Sequence, residues 1–119
     1  MLTSVEGVTV HLACGATDLR KSIDGLAAIV SHVFELDPFS PSLFVFCNKD
    51  RDKLKILYWE HNGFWLFYRR LERGRFRWPP ASAGQAPLAV SHRQLRWLLD
   101  GLPIEQRQAH AAVTARTLL

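Results

Sequence analysis

The chain has 119 residues and only two cysteines, Cys14 and Cys47, each standing alone in apolar, strand-like surroundings. That scarcity argues against a disulfide framework or a cysteine-based zinc site and fits a reducing cytoplasm. No apolar run approaches the roughly 20 residues a membrane helix needs. The stretch from Met1 to Gly7 lacks the basic-then-apolar layout of an export leader, so neither a membrane nor secretion is expected. There is no glycine-rich phosphate loop and no nucleophile motif around a serine or cysteine. Five histidines (His11, His32, His61, His92 and His110) show no metal-ligand spacing. Asp50 and Asp52, beside Lys55, come nearest to a nuclease carboxylate set, but such sites draw carboxylates from separated elements to hold a divalent ion. No enzyme, metal or cofactor is therefore expected.

Positive charge is present in quantity, and it is local. Between Lys49 and Arg77 lie nine of the fifteen Lys and Arg residues against four acids (Asp50, Asp52, Glu60 and Glu72), a formal +5 within a chain whose total is +4. Most of the aromatics fall in the same window. Charge confined to apolar, strand-like sequence must lie on one face and create a positive field there, for which phosphate is the natural counterpart. Arg73, Arg75 and Arg77 fall on one side of an extended chain, with Gly74, Phe76 and Trp78 on the other. Guanidinium groups bind phosphate bidentately and stack on bases, so an arginine row suits a nucleic-acid backbone. The plainer meanings are a solvated, aggregation-resistant edge for the cations of the hairpin and a local ion-pair network of Arg69 and Arg73 with Glu72.

The hydrophobic fraction of 48% and the length allow one compact core. Val8 to Ala13 alternates as a half-buried strand. Thr17 or Asp18 can cap a long helix over about 19–36, whose stripe Ile23, Leu26, Ala27, Val30, Val33 and Phe34 places Leu26 and Val30 in the core. Gly25 inside it suggests a close backbone approach. Leu43 to Cys47 reads as a central strand. Leu54 to Glu60 and Phe64 to Arg70 flank His61-Asn62-Gly63 as a hairpin, with Lys55 opposite Arg70 or Arg69 according to turn length. Arg75 to Trp78 reads as an edge strand ended by Pro79-Pro80, and Ala81 to Pro87 as a linker. A short helix, His92 to Asp100, is capped by Ser91 and stopped by Gly101. These elements predict an α+β fold: an antiparallel sheet of four to five strands packed against one long helix, plus a short C-terminal helix. Residues 1–103 form the single domain, and 104–119 a C-terminal tail without clear periodicity.

Four segments carry a resemblance. Thr17 to Leu26 (TDLRKSIDGL), Asp37 to Ser40 with Leu43 to Phe46, Lys53 to Trp59 (KLKILYW) and Arg70 to Pro79 (RLERGRFRWP) resemble, in order, the second-reading-frame accessory proteins of bacterial insertion sequences of the sixty-six family. Those proteins are called TnpB but are distinct from the RNA-guided nucleases of that name. The resemblance implies a cytoplasmic, noncatalytic helper in transposition, encoded beside a larger transposase; with the basic sheet face, the expectation is that it binds DNA, the transposase or both. Its signature positions fall here on Asp18, Arg20, Lys21, Asp24, Gly25, Glu72, Gly74 and Trp78, none of them catalytic. The expected nucleic-acid-binding residues are Lys55, Arg69, Arg70, Arg73, Arg75 and Arg77. The alternative is a protein-interaction adaptor for the transposase, with Trp59, Trp65 or Trp78 as exposed anchor and the arginines as its rim.

Overall fold

A computed structural model describes residues 7–81 and 83–105. Five strands form one sheet: β1 (Thr9–Leu12), β2 (Ser42–Cys47), β3 (Lys53–Glu60), β4 (Gly63–Arg70) and β5 (Leu88–Val90), in the order β4-β3-β2-β1-β5. The sheet is mixed rather than antiparallel, because β1 and β2 run parallel, Val10 beside Leu43 and Leu12 beside Val45. Between them the chain crosses through a helix, and a strand-helix-strand connection returns the second strand in the direction of the first. Alternation reveals a strand but not its direction. Arg75 to Trp78, expected as an edge strand, pairs with no strand, and the far edge is instead β5, antiparallel to β1.

The first helix is also shorter than expected. Helix α1 (Ile23–Ala28) continues as a π-helical turn (Ile29–Val33), eleven residues in all, so no long helix covers the sheet. Leu19 to Ser22 is held as a turn by the Lys21 amide on the Asp18 carbonyl. At the other end the Phe34 amide bonds the Ile29 carbonyl, and Glu35 enters the left-handed region at φ 55° so that the Leu36 amide caps the Val30 carbonyl. Leu26 and Val30 nonetheless lie fully buried with Phe44, Phe46 and Leu57.

The opposite face of the sheet is covered as well. Helix α2 (His92–Leu99) puts Leu95 and Leu98 against Leu43, Val45, Ile56, Phe76 and Trp78. Its start carries a reciprocal capping box between Ser91 and Gln94. It ends in a Schellman motif: Gly101 at φ 82°, with the Gly101 amide on Leu98 and the Leu102 amide on Trp97. His92 ties its first turn to the residue just before β1 by donating to the Val8 carbonyl. Layers on both faces explain why every residue of β2 is buried, which its unbroken apolar run requires. Ile104, assigned to the tail, packs against this layer and accepts a bond from Gln94 through its carbonyl. The rest of the expected tail, 106–119, lies outside the described residues.

The β3–β4 hairpin differs from both expected registers. Glu60 pairs with Gly63, leaving His61 and Asn62 as the two turn residues at φ 50° and 67°, the left-handed pair of a type I′ turn. Lys55 therefore faces Tyr68, and Lys53 faces Arg70. The sheet faces explain this choice. The observed register sets Leu57 against Leu66 and Ile56 against Phe67, whereas a slip of two residues would set Ile56 against Arg69. At the turn end, Phe39, Trp59 and Phe64 meet edge to face or tilted, at centroid separations of 4.8 to 5.5 Å.

Two outcomes are expected of this packing. Leu26→Ala should lower unfolding free energy by about 2 to 5 kcal/mol in a denaturant melt, since the site is enclosed by aromatic rings that cannot collapse onto it. Burial pushes the Cys47 thiol up to about 12. Cys47 should therefore react with a thiol reagent at about pH 8 only after denaturation, and labelling of the native protein at Cys47 would contradict the central placement of β2.

Candidate nucleic-acid interface

Past Arg70 the chain leaves the ladder and crosses the α2 face of the sheet. Three backbone bonds pin it: the Leu71 amide to the Asp52 carbonyl (2.7 Å), the Phe76 amide to the Arg51 carbonyl (2.6 Å) and the Gly15 amide to the Pro79 carbonyl (2.9 Å). Gly74, at φ 75° with open space around it, makes the bend between Leu71 and Phe76 in a conformation other residues enter at a cost. From there burial alternates. Phe76 and Trp78 are buried, the Trp78 indole donating to the Ala13 carbonyl at 2.9 Å, while Arg75 and Arg77 are exposed. Because Trp78 is only 7% exposed, it cannot anchor a partner.

The exposed side of this segment forms one wall of a groove of about 830 Å³. Five arginines line it: Arg51, Arg69, Arg73, Arg75 and Arg77, with Asp100 as the one acid among its lining residues. None of the five makes an ion pair among the described residues, where the two pairs are Asp18 with Arg20 and Arg70 with Glu72. The groove's opposite wall is the C-terminal end of α2, Leu99 to Gly101, whose carbonyl dipoles favour nearby cations. A formal excess of four positive charges remains across one concave surface. Such an arrangement repels itself unless an anion bridges it.

The expected binding residues are thus divided between two faces. Arg69, Arg73, Arg75 and Arg77 come together in the groove, whereas Lys55 and Arg70 lie on the α1 face. Arg70 is engaged by Glu72 at 2.7 Å. Lys55 donates to the carbonyls of Leu19 (2.7 Å) and Lys21 (3.2 Å) and so clamps the turn before α1. The same turn holds the other signature residues. The Asp18 carboxylate accepts from the Arg20 guanidinium and amide, and the Arg20 bond holds its pKa down at about 2. Asp24 lies exposed in the first turn of α1, and a Cβ on Gly25 would come within 3.0 Å of the Lys21 Cβ, so the close neighbour is a side chain one turn back rather than another backbone.

Arg51 had no signal in the sequence beyond its charge. It sits at φ 60° in a loop where no periodicity predicts direction, yet it lines the groove, and its carbonyl accepts from the Phe76 amide. Asn48 builds that loop. Its side-chain oxygen accepts from the Asp52 and Lys53 amides (3.1 and 3.0 Å), and its nitrogen donates to the Asp52 carboxylate at 2.7 Å. This bond, with Lys53 and Arg75 nearby, lowers the pKa of Asp52. Asp52 is therefore a loop clamp, and among the described residues no three His, Cys, Asp or Glu side chains are placed to hold a metal.

A family model described as IS66 Orf2 like protein matches residues 8–109. Two proteins of Sinorhizobium fredii (strain NBRC 101917 / NGR234) are similar along most of their length. Uncharacterized protein y4hO is 41% identical over 102 residues, 86% of this chain and 87% of the relative. Uncharacterized protein y4jC is 32% identical over 102 residues, 86% of each. No solved structure matches the chain.

Asn48→Ala removes three bonds and leaves two amides to find water, so a loss of about 1 to 3 kcal/mol in stability is expected. Hydrogen exchange should rise at the amides of Asp52 and Lys53. Unchanged protection there would mean that the loop is held by its backbone alone.

Proposed function

The chain belongs to the IS66 Orf2-like family of transposition-associated proteins, and from that premise we propose that it acts as a noncatalytic accessory protein that binds DNA through the arginine groove. The observation that carries this reading is the collection of five arginines on one concave surface, none of them in an ion pair among the described residues. Guanidinium groups in that state gain by meeting phosphates, whose contacts fix register without reading sequence. Arg51, Arg69, Arg73, Arg75 and Arg77 take the phosphate contacts. Lys55 and Arg70 lie on the other face, outside the groove, where Lys55 clamps the turn before α1 and Arg70 pairs with Glu72. The transposase of the same element, which carries out the strand chemistry, is the expected protein partner, and the cytoplasm the place of action. No helix among the described residues is long and apolar enough to cross a membrane.

A second reading has its own observation. Trp65, 41% exposed and stacked on Phe67 on the edge strand β4, is the kind of aromatic that anchors a protein partner, with the arginines at its rim. Salt dependence separates the two, because phosphate contacts release counterions and an aromatic anchor does not.

Replacing Arg73, Arg75 and Arg77 together by Gln leaves Phe76 and Trp78 in place, so folding should survive by circular dichroism. If each contacts one phosphate of duplex DNA, the slope of log affinity against log salt should become shallower by about 0.9 per contact, roughly 2.7 in all. Fluorescence anisotropy over a salt series measures it. A folded triple variant with the parent's affinity and slope would hand the lead to the adaptor reading. The protein alone should cleave neither single strands nor duplex with magnesium or manganese, and cleavage lost in Asp50→Asn would refute the noncatalytic role.

A further inference from the structure

On the α1 face, a depression of about 800 Å³ opens beyond the ends of the parallel strands β1 and β2, lined by residues of the two loops that leave them. In sheets with a strand-helix-strand unit, that end of the parallel strands is where the connecting loops form a ligand crevice. Its lining joins two chemistries. Ala16, Leu19 and Tyr68 supply apolar surface, and Lys49, Lys53 and Lys55 supply cations. Tyr68 is 54% exposed, and the register puts it directly opposite Lys55, with Lys53 opposite Arg70 further along the same face.

The charge at this site is partly fixed in place. Two of the three N–H bonds of the Lys55 ammonium hold the Leu19 and Lys21 carbonyls, and the third has no acceptor among the described residues. Lys49 and Lys53 form no ion pair there either. Of the two acids at the rim, Asp18 is taken by Arg20, so Asp50 alone stands against three lysines. A ligand suited to an aromatic plate beside convergent ammonium groups is planar, weakly polar on its faces and anionic at one end.

We propose that this pocket binds a single nucleotide unit, its base stacked on Tyr68 and its phosphate held by Lys53 and Lys55. A base inside a duplex is already stacked on both sides and cannot enter, so the ligand is an unpaired nucleotide of a strand or a free nucleotide. The proposal rests on the DNA-binding reading only for the first of these sources. Geometry favours that source, because residues of one loop line both sites: Arg51 the groove, and Lys49 and Asp50 the pocket. A strand held by its backbone in the groove can pass around this loop and deliver a base to the other face.

Three probes test it: labelled oligothymidylate of about eight nucleotides, within the span one such surface covers, a blunt duplex, and thymidine 5′-monophosphate by calorimetry. Tyr68→Ala should weaken oligothymidylate binding about tenfold. Tyr68→Phe should restore it, and duplex affinity should not change in either variant. Lys53→Gln, at a site outside the core, gives the same test through the phosphate should Tyr68→Ala fail to fold. Binding of the mononucleotide that depends on Tyr68, with no binding of either DNA, upholds the pocket with a free nucleotide as its ligand and removes the DNA reading alone. Parent-like affinity of folded Tyr68→Ala and Lys53→Gln for oligothymidylate and mononucleotide, or no binding of either probe by the parent, overturns the proposal.

Discussion

Burial of Phe76 and Trp78 is the constraint on which the arginine surface depends. The segment from Leu71 to Pro80 belongs to no strand, and its three backbone bonds to the rest of the molecule would not by themselves order ten residues. Two aromatic side chains inserted between the sheet and α2, each contributing about 1.5 to 3 kcal/mol by removal from water, supply what the bonds lack. The indole bond to the Ala13 carbonyl then fixes where along β1 the segment sits. With the even-numbered side chains committed to the core, Arg75 and Arg77 have no choice but solvent.

Stability and recognition are thereby divided between alternate residues of one short segment. The buried residues tolerate little change in volume. The exposed ones contribute to stability mainly through mutual repulsion, which an anion relieves. This separation also explains why Lys55 takes no part in the arginine groove: it lies on the opposite sheet face. It points from a strand interior toward carbonyls of the turn before α1, and an ammonium bonded to two carbonyls organises that turn.

Much of this could be read from the sequence, and what could not has identifiable causes. The stripe of Leu26 and Val30, the capping serine of α2, its terminal glycine and the buried run of β2 are local signals that the structure keeps. Strand direction is not local, so the parallel pairing of β1 with β2 was hidden even though a helix between two strands argues for it. β5 is three residues long, one of them alanine, and has no period to detect. Asn-Gly attracted the turn, but cross-strand packing of Leu57 with Leu66 moved it one residue earlier, to His61-Asn62. The arginine alternation was legible because it is a property of the chain. That Arg51 joins that row, while Lys55 and Arg70 do not, depends on which sheet face each element presents.

The Asn48 loop joins Lys49 and Asp50 on one face to Arg51 on the other through three bonds of a single side chain. Substitutions within it cannot be treated as independent. A change that shifts this hinge moves charges on opposite sides of the sheet at once, so paired replacements here should depart from additivity by more than pairs of equal charge placed elsewhere on the surface.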